Sequence, residues 1–276
     1  MIRVTANGKA LELEEGSSVG DLIRSRDLDP RYVVVELNGE PLERARYEEV
    51  TLSDDDRLEL VRAVAGGADD RRARLEAARL YVVTDARRAQ GDLEAFLDTI
   101  LGARVDVVQL REKEAEAGDV LRWAETFRGA ADRHGALFTI NDRPDVAIAA
   151  GADGVHVGQN DLPVGVARRV VGDDLIVGLS THASEEWDAA PPEADYLTAG
   201  PVWETPTKLG RPAAGLEHVR HAARSADRPW FAIGGITVEN LPEVLEAGAT
   251  RIVVVRAVTE AEDPASAVKD LLGLLP

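Results

Sequence analysis

The chain has 276 residues and contains no cysteine. The absence of thiols excludes disulfide bonds, a thiolate nucleophile and a cysteine-ligated zinc site. Long apolar runs are also absent, because stretches such as Leu175–Leu179 and Ile252–Val255 are far shorter than the roughly 20 residues that a membrane-spanning helix needs. The N-terminal region shows no signal-peptide pattern. We therefore expect a soluble, cytoplasmic protein whose chemistry uses oxygen, nitrogen or a bound ion.

Basic residues are in the minority. Lys and Arg number 32 against 50 Asp and Glu, which makes the formal net charge −18. A chain this acidic is repelled by nucleic-acid backbones and by anionic membrane surfaces, so we predict neither as a partner. A small phosphorylated substrate remains compatible with this charge if a few basic residues gather at one place and a cation assists them.

Residues 1–67 predict a small α+β domain. The pair Asn7-Gly8 lies between two short apolar runs, and it favours a tight hairpin because both residues tolerate positive φ. Ser18 is suited to cap a helix that runs from Val19 to about Arg26. Strands before and after one helix are typical of an α+β unit, and the later strands are Val33–Leu37 and Leu58–Val64.

The pattern changes near residue 67. The first predicted domain ends at Gly66-Gly67, and the charged stretch 68–78 that follows predicts a linker or a solvated helix. The second predicted domain occupies residues 79–276.

Residues 79–276 alternate short β-branched runs with stretches of helical spacing. This alternation indicates right-handed βαβ units and a parallel sheet. Eight such runs in about 200 residues predict a closed (β/α)₈ TIM barrel of the α/β class, with a doubly wound open sheet as the alternative. The predicted strands are Leu80–Thr84, Val105–Leu110, Leu137–Ile140, Gly154–Val157, Leu175–Leu179, Tyr196–Ala199, Trp230–Ile233 and Arg251–Val255.

Polar residues follow most of these strands, and barrel enzymes place their active sites at the carboxyl ends of the strands. Arg111, Lys113 and Lys208 offer charged donors for a polyanion. Asp142 and Asp161 follow adjacent strands and are hard carboxylate ligands of the kind that Mg²⁺ uses together with substrate phosphates. These residues predict a Mg²⁺-assisted anion site near the second to fourth strands.

A second anion site is predicted near the sixth to eighth strands. Gly234-Gly235 and Val255-Arg256 follow those strands, where barrels commonly bind phosphate through backbone amides. Each motif alone is also compatible with an ordinary turn or a solvated strand end. Their convergence on one rim favours a functional site, and its layout suits two small phosphorylated substrates.

Residues 80–275 resemble the thiamine phosphate synthase family through motifs that stand in order along the chain. The resemblance implies a (β/α)₈ barrel and a transferase that couples a pyrimidine diphosphate to a thiazole phosphate and releases pyrophosphate. The motifs are Gln109-Leu110-Arg111-Glu112-Lys113, Asn141-Asp142, Asp161, Gly178-Leu179-Ser180, Thr205-Pro206-Thr207-Lys208 and Gly234-Gly235-Ile236.

The resemblance also implies a role for each matched residue. The pyrimidine diphosphate would be bound by Gln109, Leu110, Arg111, Glu112, Lys113, Asn141, Ser180 and Lys208, of which Arg111, Lys113, Ser180 and Lys208 are the catalytic group. Mg²⁺ would be bound by Asp142 and Asp161. The thiazole phosphate would be bound by Thr205, Pro206, Thr207, Gly234, Gly235, Val255 and Arg256.

The mechanism that the resemblance implies is dissociative, through a pyrimidine cation. Such a reaction needs positioning and leaving-group electrostatics, and it needs no protein nucleophile. Many relatives have a small hydroxyl residue where this chain has Arg256, so the thiazole phosphate end departs from the family pattern. His156 and His182 are interpreted as structural or substrate-contacting residues, and not as metal ligands.

Residues 1–67 resemble the sulfur-carrier protein of thiamine biosynthesis, a ubiquitin-like β-grasp fold. The resemblance implies a Gly-Gly tail that is adenylated and converted to a thiocarboxylate, with an adenylating enzyme and a thiazole synthase as partners. Ala68 follows Gly67, so no carboxylate exists unless the chain is cut there; a fused scaffold without this chemistry is the alternative. The matching features are Asn7-Gly8, Val33–Gly39, Asp54-Asp55-Asp56 and the end Ala63-Val64-Ala65-Gly66-Gly67.

The leading hypothesis is therefore a bifunctional protein, with a synthase barrel and a sulfur-carrier module. One alternative is the thiazole tautomerase branch of the same barrel family. Another is a non-catalytic carrier or scaffold. The complete run Gln109–Lys113, together with Asp142, Asp161 and Lys208, favours the synthase over the tautomerase, which does not need an intact diphosphate site.

Overall fold

The structure is a computed structural model, and it describes residues 1–26, 33–43, 46–62, 68–204 and 213–276. The chain divides into two compact units, Met1–Gly66 and Gly67–Pro276. Each unit has its own cluster of buried apolar side chains. Within the described ranges, no helix combines the length and the apolar character that a membrane crossing requires.

In its described residues the first unit is a five-stranded sheet with one helix, as the α+β prediction requires. Strands β1 and β5 are parallel neighbours inside the sheet, and the other pairs are antiparallel, in the order β2-β1-β5-β3-β4. The element bounds are β1 Ile2–Ala6, β2 Lys9–Leu13, α1 Val19–Ser25, β3 Val33–Leu37, β4 Glu40–Leu42 and β5 Arg57–Arg62. This arrangement confirms the predicted β-grasp fold class.

Local sequence explains the start of this unit. Asn7 and Gly8 both have positive φ, at 50° and 73°, which lets the chain turn from β1 directly into β2. The Ser18 side chain accepts from Asp21 N at 3.1 Å and thereby caps α1. The buried face of α1, which includes Leu22 and Ile23, packs into the core of the unit.

The second unit is a closed barrel of parallel strands in the order β10-β11-β12-β13-β6-β7-β8-β9. The predicted TIM barrel is thus confirmed, and the doubly wound alternative is excluded because the sheet has no open edge. The strands are β6 Leu80–Thr84, β7 Val107–Leu110, β8 Leu137–Asn141, β9 Gly154–Val157, β10 Ile176–Thr181, β11 Tyr196–Ala199, β12 Trp230–Ile233 and β13 Ile252–Val254.

Helices cover the outside of the barrel. Apart from the helix at residues 68–77, their apolar faces form one large core with alternate residues of the strands, which is why the strands read as nearly continuous apolar runs. The helices are α2 Ala68–Ala77, α3 Leu93–Gly102, α4 Ala117–His134, α5 Pro144–Ala149, α6 Val164–Val171, α7 Ser184–Asp188, α8 Gly215–Ser225, α9 Leu241–Glu246, α10 Arg256–Thr259 and α11 Pro264–Leu274.

The barrel interior is filled by a separate cluster of buried side chains, dominated by aromatic rings. Tyr81 and Tyr196 meet edge to face with Phe231, at ring-centroid distances of 5.7 and 5.8 Å. Gly178 is required by this packing, because a Cβ at that position would overlap the Tyr196 ring. In the described residues the middle of the barrel is therefore a packed core, as in other barrels of this type.

Helix α2 occupies the stretch for which the sequence predicts a linker or a solvated helix. It is not simply solvated, because Leu75 joins the interior cluster of the barrel and Arg71 is only 5% exposed. Arg71 Nε lies 3.1 Å from Asp153 Oδ1, a carboxylate that is fully buried. Helix α2 is therefore part of the barrel unit. Its charged residues suggest an exposed segment in the sequence, but Arg71 pairs with a buried carboxylate.

Candidate active site

Two adjoining cavities lie at the carboxyl ends of the barrel strands. The smaller has a volume of about 90 Å³ and the larger a volume of about 390 Å³. They form one cleft, because they share the lining residues Ser180, Thr198, Ile233, Val253 and Val255. The cleft is therefore one continuous opening at the rim where barrel enzymes place their sites.

Charged residues from three strand ends line the smaller cavity. Arg111 and Lys113 follow β7, Asp142 follows β8 and Asp161 follows β9. Lys113 Nζ lies 3.2 Å from Asp142 Oδ2, and Gly158 N donates to Asp161 Oδ2 at 2.9 Å. Most of the predicted diphosphate and metal residues in the described ranges thus line one cavity: Gln109, Arg111, Lys113, Asn141, Asp142, Asp161 and Ser180.

Backbone geometry places Asp142 in this cavity. Its φ is 63°, in the left-handed region that non-glycine residues rarely adopt. Asp142 N donates to His156 O at 2.8 Å, which ties this strained turn to the neighbouring strand β9. Strain of this kind persists where the surrounding structure enforces it, and it clusters at functional sites.

The two carboxylates are close enough to influence each other. The pKa of Asp142 is raised by its burial and then by hydrogen bonding and repulsion with Asp161, while Lys113 opposes that rise. Among the described residues, no group of three or more His, Asp or Glu side chains could hold a metal ion. A carboxylate pair of this kind fits Mg²⁺, which completes its coordination with water and ligand phosphates.

A chain of hydrogen bonds runs under the smaller cavity, inside the barrel. Gln109 Nε2 donates to Tyr81 Oη at 2.6 Å, and Tyr81 Oη lies 2.7 Å from Thr139 Oγ1 and 3.2 Å from Tyr196 Oη. Burial raises the pKa of Tyr81 to about 12, and it raises the pKa of Tyr196 as well. Both phenols therefore remain neutral hydrogen-bonding groups at physiological pH.

The chain continues from Tyr196 to Ser180. His156 Nδ1 lies 2.9 Å from Tyr196 Oη, and His156 Nε2 lies 2.9 Å from Ser180 Oγ. Gln159 Nε2 donates to Ser180 O at 2.7 Å and holds the end of β10. The predicted residues Gln109 and Ser180 are thus connected through buried groups.

Sequence reasoning did not single out Tyr81, Thr139 or Tyr196. The available signal was strand alternation: each of these residues occupies an inward position of a strand whose neighbouring residues face the helices. Tyr81 and Tyr196 lie toward the amino ends of β6 and β11, so a search confined to the carboxyl ends of the strands does not find them.

Two buried polar atoms of the smaller cavity lack a partner. Within the part of the chain that the structure describes, Asn141 Nδ2 and Thr198 Oγ1 make no hydrogen bond, although both residues line the cavity. Unsatisfied buried polar groups are costly, so their presence here indicates a polar ligand.

The larger cavity is lined by the turn after β12 and by the start of α10. Gly234 has φ of 106° and Gly235 has φ of 71°. A Cβ at Gly234 would lie 2.5 Å from Pro201 Cα, so only glycine allows this close approach of the two loops. Val255 and the exposed Arg256 lie at the first turn of α10.

The larger cavity also has a histidine on its wall. His182 Nδ1 lies 2.9 Å from Glu186 Oε2, and the same oxygen accepts from His182 N at 2.7 Å. Glu186, in the short helix α7, therefore holds this imidazole at the cavity.

Some predicted residues are not among the side chains that line the cleft. Leu110 is 1% exposed and belongs to the core between barrel and helices. Glu112 accepts from Ala86 N at 2.9 Å and so ties the loop after β6 to the loop after β7. The positions Gly66, Gly67, Thr205, Pro206, Thr207 and Lys208 lie outside the described residues.

Comparison with known families decides the class of this barrel. Residues 80–258 match the family model described as thiamine monophosphate synthase. The chain belongs to the thiamine monophosphate synthase family. As a member of that family the barrel is a transferase, which confirms the predicted enzyme class. Residues 2–67 match the model of the ThiS family, which confirms the two-part resemblance of the sequence.

Two curated relatives match this thiamine monophosphate synthase family member over nearly the whole of their own length. A thiamine-phosphate synthase of Acidothermus cellulolyticus is 59% identical over 207 residues, which are 74% of this chain and 98% of the relative. A thiamine-phosphate synthase of Streptomyces avermitilis is 55% identical over 205 residues, which are 73% of this chain and 95% of the relative.

A solved structure shows the same relationship in three dimensions. The thiamine phosphate pyrophosphorylase from Pyrococcus furiosus superposes with a TM-score of 0.65 and 36% sequence identity. The superposition covers 73% of this chain and 96% of that protein. The similarity is thus close to complete for a single-domain synthase and leaves about a quarter of this chain unmatched.

Proposed function

We propose that this chain couples 4-amino-2-methyl-5-(diphosphooxymethyl)pyrimidine to 4-methyl-5-(2-phosphoethyl)thiazole, or to its carboxylated form, and releases pyrophosphate. The observation that carries the proposal is the meeting of Arg111, Lys113, Asp142 and Asp161 in one small cavity that is continuous with a larger one. The smaller cavity suits a diphosphate and its ring, and the larger suits a second ring with a phosphate.

Arg111 and Lys113 would bind the diphosphate, the first through a planar fork of donors and the second as a point charge. Lys208, outside the described residues, is proposed to join them. Asp142 and Asp161 would hold Mg²⁺. When bound, Mg²⁺ supplies positive charge that balances the charge of the leaving pyrophosphate.

The proposed reaction breaks the bond between the pyrimidine methylene carbon and the diphosphate oxygen, and the electron pair leaves with pyrophosphate. The electron-rich aminopyrimidine stabilises the methylene cation, and the thiazole nitrogen then forms the new carbon–nitrogen bond with its lone pair. Arg111 and Lys113 stabilise the leaving group. Ser180 and Gln109 orient the pyrimidine, so positioning and electrostatics replace a protein nucleophile.

The thiazole phosphate would lie in the larger cavity. Its phosphate would be bound by the backbone of Gly234-Gly235 and of Val255-Arg256, with Thr205, Pro206 and Thr207 as further proposed contacts outside the described residues. The exposed side chain of Arg256 would add a charged donor at the mouth.

The proposal is tested by measuring pyrophosphate release from the full chain with both substrates and Mg²⁺. Arg111→Ala is expected to lower the rate by about 10²-fold, because one preorganised charged donor to the leaving group is lost. The matched control Arg122→Ala should keep the wild-type rate, because Arg122 is exposed on α4 and pairs only locally with Asp119. A wild-type chain that releases no pyrophosphate with these substrates contradicts the proposal.

For the N-terminal unit, we propose a sulfur carrier for thiazole formation that becomes active when the chain is cut after Gly67. The support is the ThiS family match over residues 2–67 together with the Gly-Gly pair at its end. Such a carrier would meet an adenylating enzyme and a thiazole synthase. Mass spectrometry of the protein from its native host decides the point: only uncut chain, without a fragment ending at Gly67, would show a fused unit that lacks this chemistry.

A further inference from the structure

The hydroxyl group of Tyr81 is the branch point of the hydrogen-bond chain under the smaller cavity. It has Gln109 Nε2 at 2.6 Å, Thr139 Oγ1 at 2.7 Å and Tyr196 Oη at 3.2 Å. The tyrosine is only 1% exposed, so water does not compete for these positions. Its ring is held from the other side by Phe231.

The chemistry of these groups determines the direction of the first bond. An amide nitrogen only donates, so Tyr81 Oη accepts from Gln109. In this arrangement the single phenolic proton is left for Thr139 or Tyr196, either of which can accept it. Because a side-chain amide is planar, the bond that holds its nitrogen also determines where its oxygen lies.

We propose that Tyr81 is a positioning residue that turns the amide oxygen of Gln109 toward the substrate ring, and that it thereby selects an amino-substituted pyrimidine over the 4-oxo ring. This role rests on the proposed function and adds to it the residues that recognise the pyrimidine ring. An exocyclic amino group donates to the amide oxygen, whereas an oxo group opposes one acceptor with another. A site built around such a bond discriminates strongly against the wrong partner.

The rest of the cavity wall is consistent with recognition of a polar ring. Asn141 Nδ2 and Thr198 Oγ1 are buried and, among the described residues, have no hydrogen-bond partner. A ring nitrogen of the pyrimidine is an acceptor and would satisfy such donors. Ser180, at the far end of the same chain, adds a hydroxyl group whose position is held by His156.

The test measures binding, since the chemical step itself depends on the amino group. Calorimetry with the full chain and Mg²⁺, without the thiazole substrate, gives Kd for the aminopyrimidine diphosphate and for its 4-oxo analogue. Wild type should prefer the amino compound by at least about 10²-fold. Tyr81→Phe should lower that preference at least tenfold, because the freed amide can turn its nitrogen toward the oxo group.

Controls separate this role from a structural one. Tyr81→Phe keeps the ring that packs on Phe231, and Thr139→Val removes another partner of the same hydroxyl group while the Gln109–Tyr81 hydrogen bond keeps both of its side chains. Thr139→Val should leave the preference within about twofold of wild type. Gln109→Leu should abolish it, and adding Tyr81→Phe to that variant should change nothing further, because the tyrosine acts through the amide.

The outcomes distinguish the two proposals. An unchanged preference in Tyr81→Phe, with tight binding of the aminopyrimidine diphosphate retained, overturns the positioning role and leaves the proposed function standing. A further loss of preference when Tyr81→Phe is added to Gln109→Leu also overturns it. A wild-type chain that fails to bind the aminopyrimidine diphosphate overturns both.

Discussion

At the scale of single residues, Asp142 and Asp161 are the proposed ligands of Mg²⁺. Asp142→Asn removes one carboxylate from the pair, so the Mg²⁺ concentration for half-maximal pyrophosphate release should rise at least about tenfold. Asp145→Asn is the matched control, because that exposed carboxylate pairs with Arg143 at 2.6 Å near the same turn. Chelation of Mg²⁺ should stop turnover in wild type, and an unaltered Mg²⁺ dependence in Asp142→Asn would contradict the metal assignment.

His218 predicts a pH dependence of stability. It is 4% exposed, its Nε2 lies 3.1 Å from Thr181 Oγ1, and burial lowers its pKa below the ordinary value of 6.5. As the pH falls below about 6.5, His218 is protonated in the unfolded chain more readily than in the folded chain. The free energy of unfolding therefore decreases progressively below that pH. Thermal unfolding at pH 7.5 and pH 5.5 should show a smaller difference for His218→Gln; an equal difference would rule the residue out.

At the scale of elements, helix α2 should contribute to the stability of the barrel. Arg71→Ala leaves the buried carboxylate of Asp153 with Arg128 as its remaining ionic partner, and breaking such a buried pair costs about 3 kcal/mol. Denaturant unfolding of the barrel should register this loss, whereas Asp69→Asn on the exposed side of the same helix should change it by no more than about 0.5 kcal/mol. Equal stability of the two variants would contradict a stabilising role of the Arg71–Asp153 pair.

At the scale of the whole molecule, the described part of the cleft belongs to the second unit alone. A chain of residues 68–276 should therefore release pyrophosphate at the rate of the full chain, within about twofold. A chain of residues 79–276 lacks α2 and should unfold at a lower temperature, because Asp153 loses Arg71 and Asp195 loses Arg72. A large loss of rate in residues 68–276 would assign the N-terminal unit a part in the reaction.

Much of this fold could be predicted because local signals and tertiary structure agree. The strands Leu80–Thr84, Gly154–Val157 and Tyr196–Ala199 have the bounds that their β-branched runs predict. Asn7-Gly8 forms the expected hairpin because its conformational freedom is a property of the two residues themselves. At residues 68–78 the charged residues suggested solvent, whereas the buried carboxylate of Asp153 pairs with Arg71.

The part of the candidate site that could be predicted consists of residues in the sequence motifs. Parallel strands bring their carboxyl ends to the same rim, so the motif residues at those ends line one cavity. These residues are Arg111, Lys113, Asn141, Asp142, Asp161 and Ser180. Leu110 and Glu112 stand in the same motif but serve elsewhere, since alternate residues of a strand point to opposite faces and a loop carboxylate can bind a neighbouring loop.

The sequence by itself determined the family, the order of strands and helices, and the rim on which the charged residues gather, because each depends on residues close together in the chain. Only the tertiary structure decided what lies beneath that rim. Tyr81 and Tyr196 are 115 positions apart, yet their hydroxyl groups lie 3.2 Å from each other inside the barrel. Closure of the sheet and the register of its strands bring these side chains together, and neither property is encoded in any single segment.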